Sequence, residues 1–141
     1  MTATTTFDLL DRARASLFQA CASETTTDRY CEAHLAALRS AAAIVADREG
    51  RCARSRRRGA PVRDTWGTLA RLAPEFSEWA DYFALCGERR RAFETGQRAG
   101  SREADDLLRD AETFHALVLG ALGLPVEVAA HPGLAVAGLR S

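Results

Sequence analysis

Apolar side chains recur along this chain at spacings of three and four, the period of amphipathic helices. From Thr6 to Ala22 the buried line is Leu10, Ala13, Leu17 and Ala20. A polar run, Ser23 to Asp28, interrupts it, and Thr25 stands three residues before Asp28 as a helix-start signature. The next helix, Asp28 to Arg48, shows two adjacent apolar lines: Cys31, Leu35, Leu38, Ala42 and Val45 beside Tyr30, His34, Ala37, Ala41 and Ile44. Two neighbouring lines make a broad buried face, and its alanines allow close approach, so this helix is expected at the centre.

Gly50 to Pro61 breaks the period with glycine, proline and a run of arginines, and reads as an exposed loop. Asp64 is placed to cap a short helix carrying Trp66, Leu69 and Ala73. Pro74 ends that helix or opens the next, which runs to Thr95 with Phe76, Trp79, Phe83 and Cys86 on its apolar side. A turn over Gly96 to Gly100 follows, and Ser101 is the expected cap of the last helix. Glu103, Asp105 and Asp106 suit the positive end of that helix's dipole. Its apolar line is Ala104, Leu108, Ala111, His115, Val118 and Leu122, stopped by Gly123 and Pro125. No alternating strand pattern, internal repeat or glycine-rich phosphate loop occurs. The expected fold is all-α, an antiparallel four- to five-helix bundle over residues 1–122, with an arginine-rich loop at 50–61 and a poorly ordered tail or packed strap over 123–141.

At 141 residues the chain suits one compact domain. Its 47% apolar and 27% charged residues exclude wholesale disorder. Nineteen basic groups against nineteen acidic argue against a surface built throughout for polyanions. All the basic groups are arginine, and neither lysine nor asparagine occurs, a bias of high-GC bacterial coding rather than of function. No segment approaches the ~20 apolar residues that cross a bilayer, and Met1 to Phe7 lacks a signal-peptide pattern. A cytoplasmic protein without membrane contact is the expectation. Cys21, Cys31, Cys52 and Cys86 are scattered, form no Cys-x-x-Cys pair, and read as small apolar fillers.

Two stretches place an arginine shortly before a histidine: Arg109-Asp110-Ala111-Glu112-Thr113-Phe114-His115 in the last helix, and Arg29-Tyr30-Cys31-Glu32-Ala33-His34 in the second. On these, the Trp66 to Trp79 region and Arg102 to Glu112, the chain resembles the HEPN superfamily of all-helical bundles over roughly residues 7–122, and is most similar to a small actinobacterial branch of it. Many members of that superfamily are metal-independent ribonucleases that dimerise to bring together two arginine-to-histidine motifs. The resemblance implies that Arg109 would steady the scissile phosphate, that Asp110 would fill the polar position, and that His115 would be the acid or base. Such chemistry suits the residue types: imidazole accepts a proton near neutral pH, and guanidinium holds the phosphorane charge with two hydrogen bonds. A spacing of six, however, leaves Arg109 and His115 well apart around a regular helix at ~100° per residue. Arg29 and His34 meet the same loose spacing in a different helix from the superfamily's usual one, where His34 can equally tie helices together.

Glu112 and His115 form one Glu-x-x-His, but a di-iron site needs a second, and a three-histidine site would need His131 from the tail. Neither a metal nor another cofactor is expected. The arginine run is the best nucleic-acid feature: Arg51, Arg54, Arg56, Arg57 and Arg58 fall within eight residues and could contact phosphates without reading sequence. No aromatic residue interleaves with it for base stacking. Two readings follow: a non-catalytic HEPN-like module that forms a homodimer or docks RNA or a partner protein encoded nearby, and a dimeric endoribonuclease using the Arg/His pair. The loose spacing favours the first.

Overall fold

A computed structural model of the protein describes residues 2–52 and 64–126. Among them five helices form and no strand: α1 (Thr2–Ala22), α2 (Thr26–Cys52), α3 (Thr65–Leu72), α4 (Ser77–Phe93) and α5 (Ser101–Ala121), with a 3-10 turn at Pro74–Phe76 between α3 and α4. The chain is an all-α bundle, as its periodicity predicts.

Local chemistry sets the ends of these helices. The Thr25 hydroxyl accepts the Asp28 amide at 3.0 Å, so the helix-start signature acts as expected and α2 begins at Thr26. Before α5 the cap residue is Gly100 rather than Ser101, and Glu103 reaches back to accept the Gly100 amide at 3.0 Å. Asp64 holds the cap position of α3 in extended backbone, although its side chain makes no capping bond. The second helix continues past Arg48 through Gly50 to Cys52, so the first residues of the expected loop are helical. At the far end of α5, Gly123 adopts φ +75°. Its amide donates to Gly120 O at 3.0 Å while the Leu124 amide donates to Leu119 O at 2.8 Å, the paired bonds of a glycine-ended helix. Leu124 then packs on the core, so the first residues expected in the tail are tied down; residues 127–141 lie outside the described residues.

Consecutive long helices alternate in direction, which leaves α2 and α5 parallel to each other and antiparallel to α1 and α4. Their side-chain bonds show it: Arg29 pairs with Asp105 and Ser40 with His115 between α2 and α5, whereas Tyr82 pairs with Asp110 and Arg89 with Glu103 between α4 and α5. Two different kinds of packing hold α5. On α2 and α5 much of the buried surface is alanine: Ala33, Ala36, Ala37, Ala41 and Ala43 on α2 and Ala104 and Ala111 on α5 are all buried. Against α4 and α3 the space is filled by aromatic rings, with Phe83 5.1 Å and Trp79 5.6 Å from Phe114 and Trp66 stacked on Phe83 at 5.2 Å. Small residues draw one pair of helices together, and large rings support the other at arm's length.

Candidate functional site

The residues singled out in the last helix do not share a surface. Arg109 is exposed, and its guanidinium turns back one turn to Asp106 at 3.1 Å. Asp110, next along, accepts the Tyr82 hydroxyl at 2.5 Å and so ties α5 to α4. Burial, then this bond to Asp110, pushes the Tyr82 phenol well above its usual range. His115 instead points inward and is 8% exposed. The six-residue spacing is the cause: at ~100° per residue it separates the two side chains by roughly 120° around a regular helix. Within one chain, then, guanidinium and imidazole face different surroundings.

Each ring nitrogen partner of His115 follows from the groups around it. The Ser40 hydroxyl donates to Ala36 O, one turn earlier on α2, at 2.9 Å, which leaves its oxygen as the acceptor for His115 Nδ1 at 2.9 Å. Nδ1 therefore carries the proton of the neutral ring. Ser40 itself is wholly buried, with its proton committed to the helix backbone. Burial, and secondarily the charge of Arg14 on α1, lowers the proton affinity of His115 below that of a free imidazole. The group is held neutral, tethered between α2 and α5.

The other pair behaves alike. Arg29 donates to Asp105 at 2.9 Å as a clasp between α2 and α5, while His34, five residues on, is 4% exposed and directed toward α4. His34 Nε2 donates to the Phe83 carbonyl at 3.1 Å, beneath Trp66. Gly87 makes room for it, since a Cβ there would stand 3.3 Å from Nε2. The other nitrogen, Nδ1, is buried without a hydrogen-bond partner. Burial lowers the proton affinity of His34 most, the Phe83 carbonyl works against that, and Arg90 and Arg91 add to the lowering. Sequence reasoning misses Ser40, Gly87 and the Phe83 carbonyl as partners of the histidines. A small hydroxyl residue set among the alanines of Ala33 to Ala43 is the one available signal for Ser40; backbone carbonyls leave none.

Of the arginine run, Arg51 stands on the last turn of α2, exposed, and pairs with Asp47 at 3.3 Å. Arg54, Arg56, Arg57 and Arg58 lie outside the described residues. Among the described residues no group of three or more His, Cys, Asp or Glu side chains is gathered where a metal ion could be held, and no helix is long and apolar enough to cross a membrane. Of the cysteines expected as fillers, Cys86 is buried and Cys31 half-buried, but Cys21 is exposed. Burial is the leading cause that raises all three thiols, which therefore stay protonated near neutral pH.

Comparison with protein families matches the HEPN_SAV_6107-like HEPN family over residues 20–119, more than two thirds of the chain. The chain belongs to this family. The matched span runs from the end of α1 into the last turn of α5, and so contains both arginine-to-histidine pairs and the aromatic cluster of this HEPN bundle. No curated protein and no solved structure matches it.

Proposed function

We propose that this HEPN protein is a docking module, which associates with a second copy of itself, with RNA or with a partner protein and does not cleave what it binds. The observation that carries this reading is the fate of His115. A general base must reach the proton it removes, whereas this imidazole is buried, has one nitrogen engaged with Ser40, and lies on a different side of α5 from Arg109. Asp110, the polar position of the motif, is engaged with Tyr82. Asp110 and His115 thus tie α5 to α4 and to α2, Arg109 turns back along its own helix, and Arg29 and His34 tie α2 to α5 and α4. We assign phosphate contact to Arg51, Arg54, Arg56, Arg57 and Arg58, whose density of charge suits a sequence-independent grip on RNA.

The test is incubation of purified full-length protein with mixed RNA in the presence of EDTA, beside His115→Ala. The docking reading expects intact RNA with both proteins. Cleavage by the wild type that disappears in His115→Ala would overturn it and establish the metal-independent endoribonuclease, with the active surface assembled between two chains.

A further inference from the structure

Two aromatic side chains of α1 lie outside the core that the same helix builds. Leu10, Ala13, Leu17 and Ala20 bury one side of it. Phe7 and Phe18 stand on the flank beside that line, 51% and 52% exposed, although phenylalanine is among the residues most often withdrawn from water. Ser16 lies on the opposite flank, where its hydroxyl accepts Arg39 of α2 at 2.9 Å. The flank of Phe7 and Phe18 therefore turns toward α5, the other helix packed against α1. Arg14, on the same flank two turns from Phe7, bears this out, since its charge acts on His115 of α5.

The same bonds set the level of each residue along the bundle. Arg39 reaches α1 at residues 12 and 16, and the adjacent Ser40 meets His115, so residues 12–16 stand about level with His115. The two helices run antiparallel: seven residues back from Arg14 is Phe7, and seven on from His115 is Leu122. Phe7 is thus about level with the end of α5. There Gly123 turns the chain, the Leu124 amide donates to Leu119 O at 2.8 Å, and the described residues end at Val126.

The sequence that follows is poor in what keeps a segment in solution, namely high net charge and low hydrophobicity. From Val128 to Leu139 it contains no Asp, Glu or Arg, and it includes Leu134 and Val136. Its reach suffices. The twelve residues 128–139 can span ~40 Å of extended chain, against ~16 Å between Phe7 and Phe18 at 1.5 Å per helical residue.

We infer that residues 128–139 form a strap along the α5-facing flank of α1 and cover Phe7 and Phe18. The inference goes beyond the docking reading and does not depend on it. In an extended strap Leu134 and Val136, two residues apart, face the same way and can meet the rings together. Apolar area withdrawn from water stabilises the contact. A strap so placed also withholds the aromatic flank from any other partner.

A double-mutant cycle on the full-length chain tests it, by thermal unfolding at high and low protein concentration. Phe7→Ser with Phe18→Ser should lower Tm by roughly 4 °C or more, and so should Leu134→Asp with Val136→Asp. Serine and phenylalanine have similar helix propensities, so the α1 pair does not act through the helix itself. All four substitutions together should lower Tm no further than either pair, because both pairs remove one contact. Additive losses, a loss confined to one pair, or no loss at all would each overturn the strap. A loss from the α1 pair that disappears on dilution would overturn it in favour of a second copy. The RNA cleavage assay, which uses none of these substitutions, reports on the docking reading separately.

Discussion

At the scale of single residues, the two buried histidines decide how this protein responds to acid. Burial holds both His34 and His115 below the proton affinity they have when exposed, and a second proton on His34, at Nδ1, would find no acceptor. Between pH 6.5 and their lowered folded values, the unfolded chain binds protons that the folded chain refuses. Stability contributed by neutral burial is therefore fully present above pH 6.5 and is lost as pH falls through the folded values, with a slope of at most about 1.4 kcal/mol per pH unit for each histidine. Urea midpoints measured between pH 7.5 and pH 5 should fall in wild type. They should fall less steeply in His34→Gln, which can still donate to Phe83 O but does not titrate. Equal slopes in the two proteins would show that His34 takes no part. The residue types of this site are legible in the chain, whereas its protonation is not: the Phe83 carbonyl and the Ser40 hydroxyl reach the rings from 49 and 75 residues away.

At the scale of elements, short-range chemistry predicts well and its failures are instructive. Thr25 caps α2 because hydroxyl and amide lie three residues apart, within reach of any helix start. Gly100 displaces Ser101 from the cap of α5, since Glu103 supplies the missing acceptor from inside the helix. Gly50 does not end α2, because a glycine ends a helix only where the chain turns into positive φ, as at Gly123. That contrast is testable. Gly123→Ala forces a side chain into a left-handed conformation and should cost about 1 kcal/mol, seen as a drop of a few degrees in Tm. The same substitution at Gly50, inside α2, should stabilise slightly through the better helix propensity of alanine. Equal Tm values for the two variants would contradict this account of where α2 and α5 end.

At the scale of the whole molecule, zero net charge conceals an uneven layout. Several arginines of the described helices are answered by carboxylates: Arg29 by Asp105, Arg48 by Glu75, Arg51 by Asp47, Arg89 by Glu103 and Arg109 by Asp106. The run from Arg51 to Arg58 has no acidic residue within it, so its field persists locally although the sum vanishes. Replacing Arg56, Arg57 and Arg58 together with glutamine should lower RNA affinity at low salt. It should also flatten the salt dependence, by about one in the logarithmic slope for each phosphate no longer neutralised. Affinity and slope identical to wild type would make the run bystander charge. Helix count, helix order and the central place of α2 are readable from periodicity, because each depends on neighbours three or four residues apart. The pairing of α5 is only half readable. Of its expected apolar line, Ala104, Ala111, His115 and Val118 are buried and Leu108 packs on the core, but Leu107 and Phe114 are buried as well, since the rings of α3 and α4 lie on that flank and widen the buried face toward them.

By itself the sequence determined that this chain folds as helices, where most of them begin and end, and which residues carry imidazole and guanidinium groups, because all of that is written in local spacing and residue chemistry. Only the tertiary structure decided that Arg109 and His115 look different ways, that burial holds the histidines neutral while Ser40 and Phe83 orient their rings, and that Phe7 and Phe18 stay outside the core. Those outcomes depend on which helix lies across from which, a matter of alanines and rings packed from distant parts of the chain.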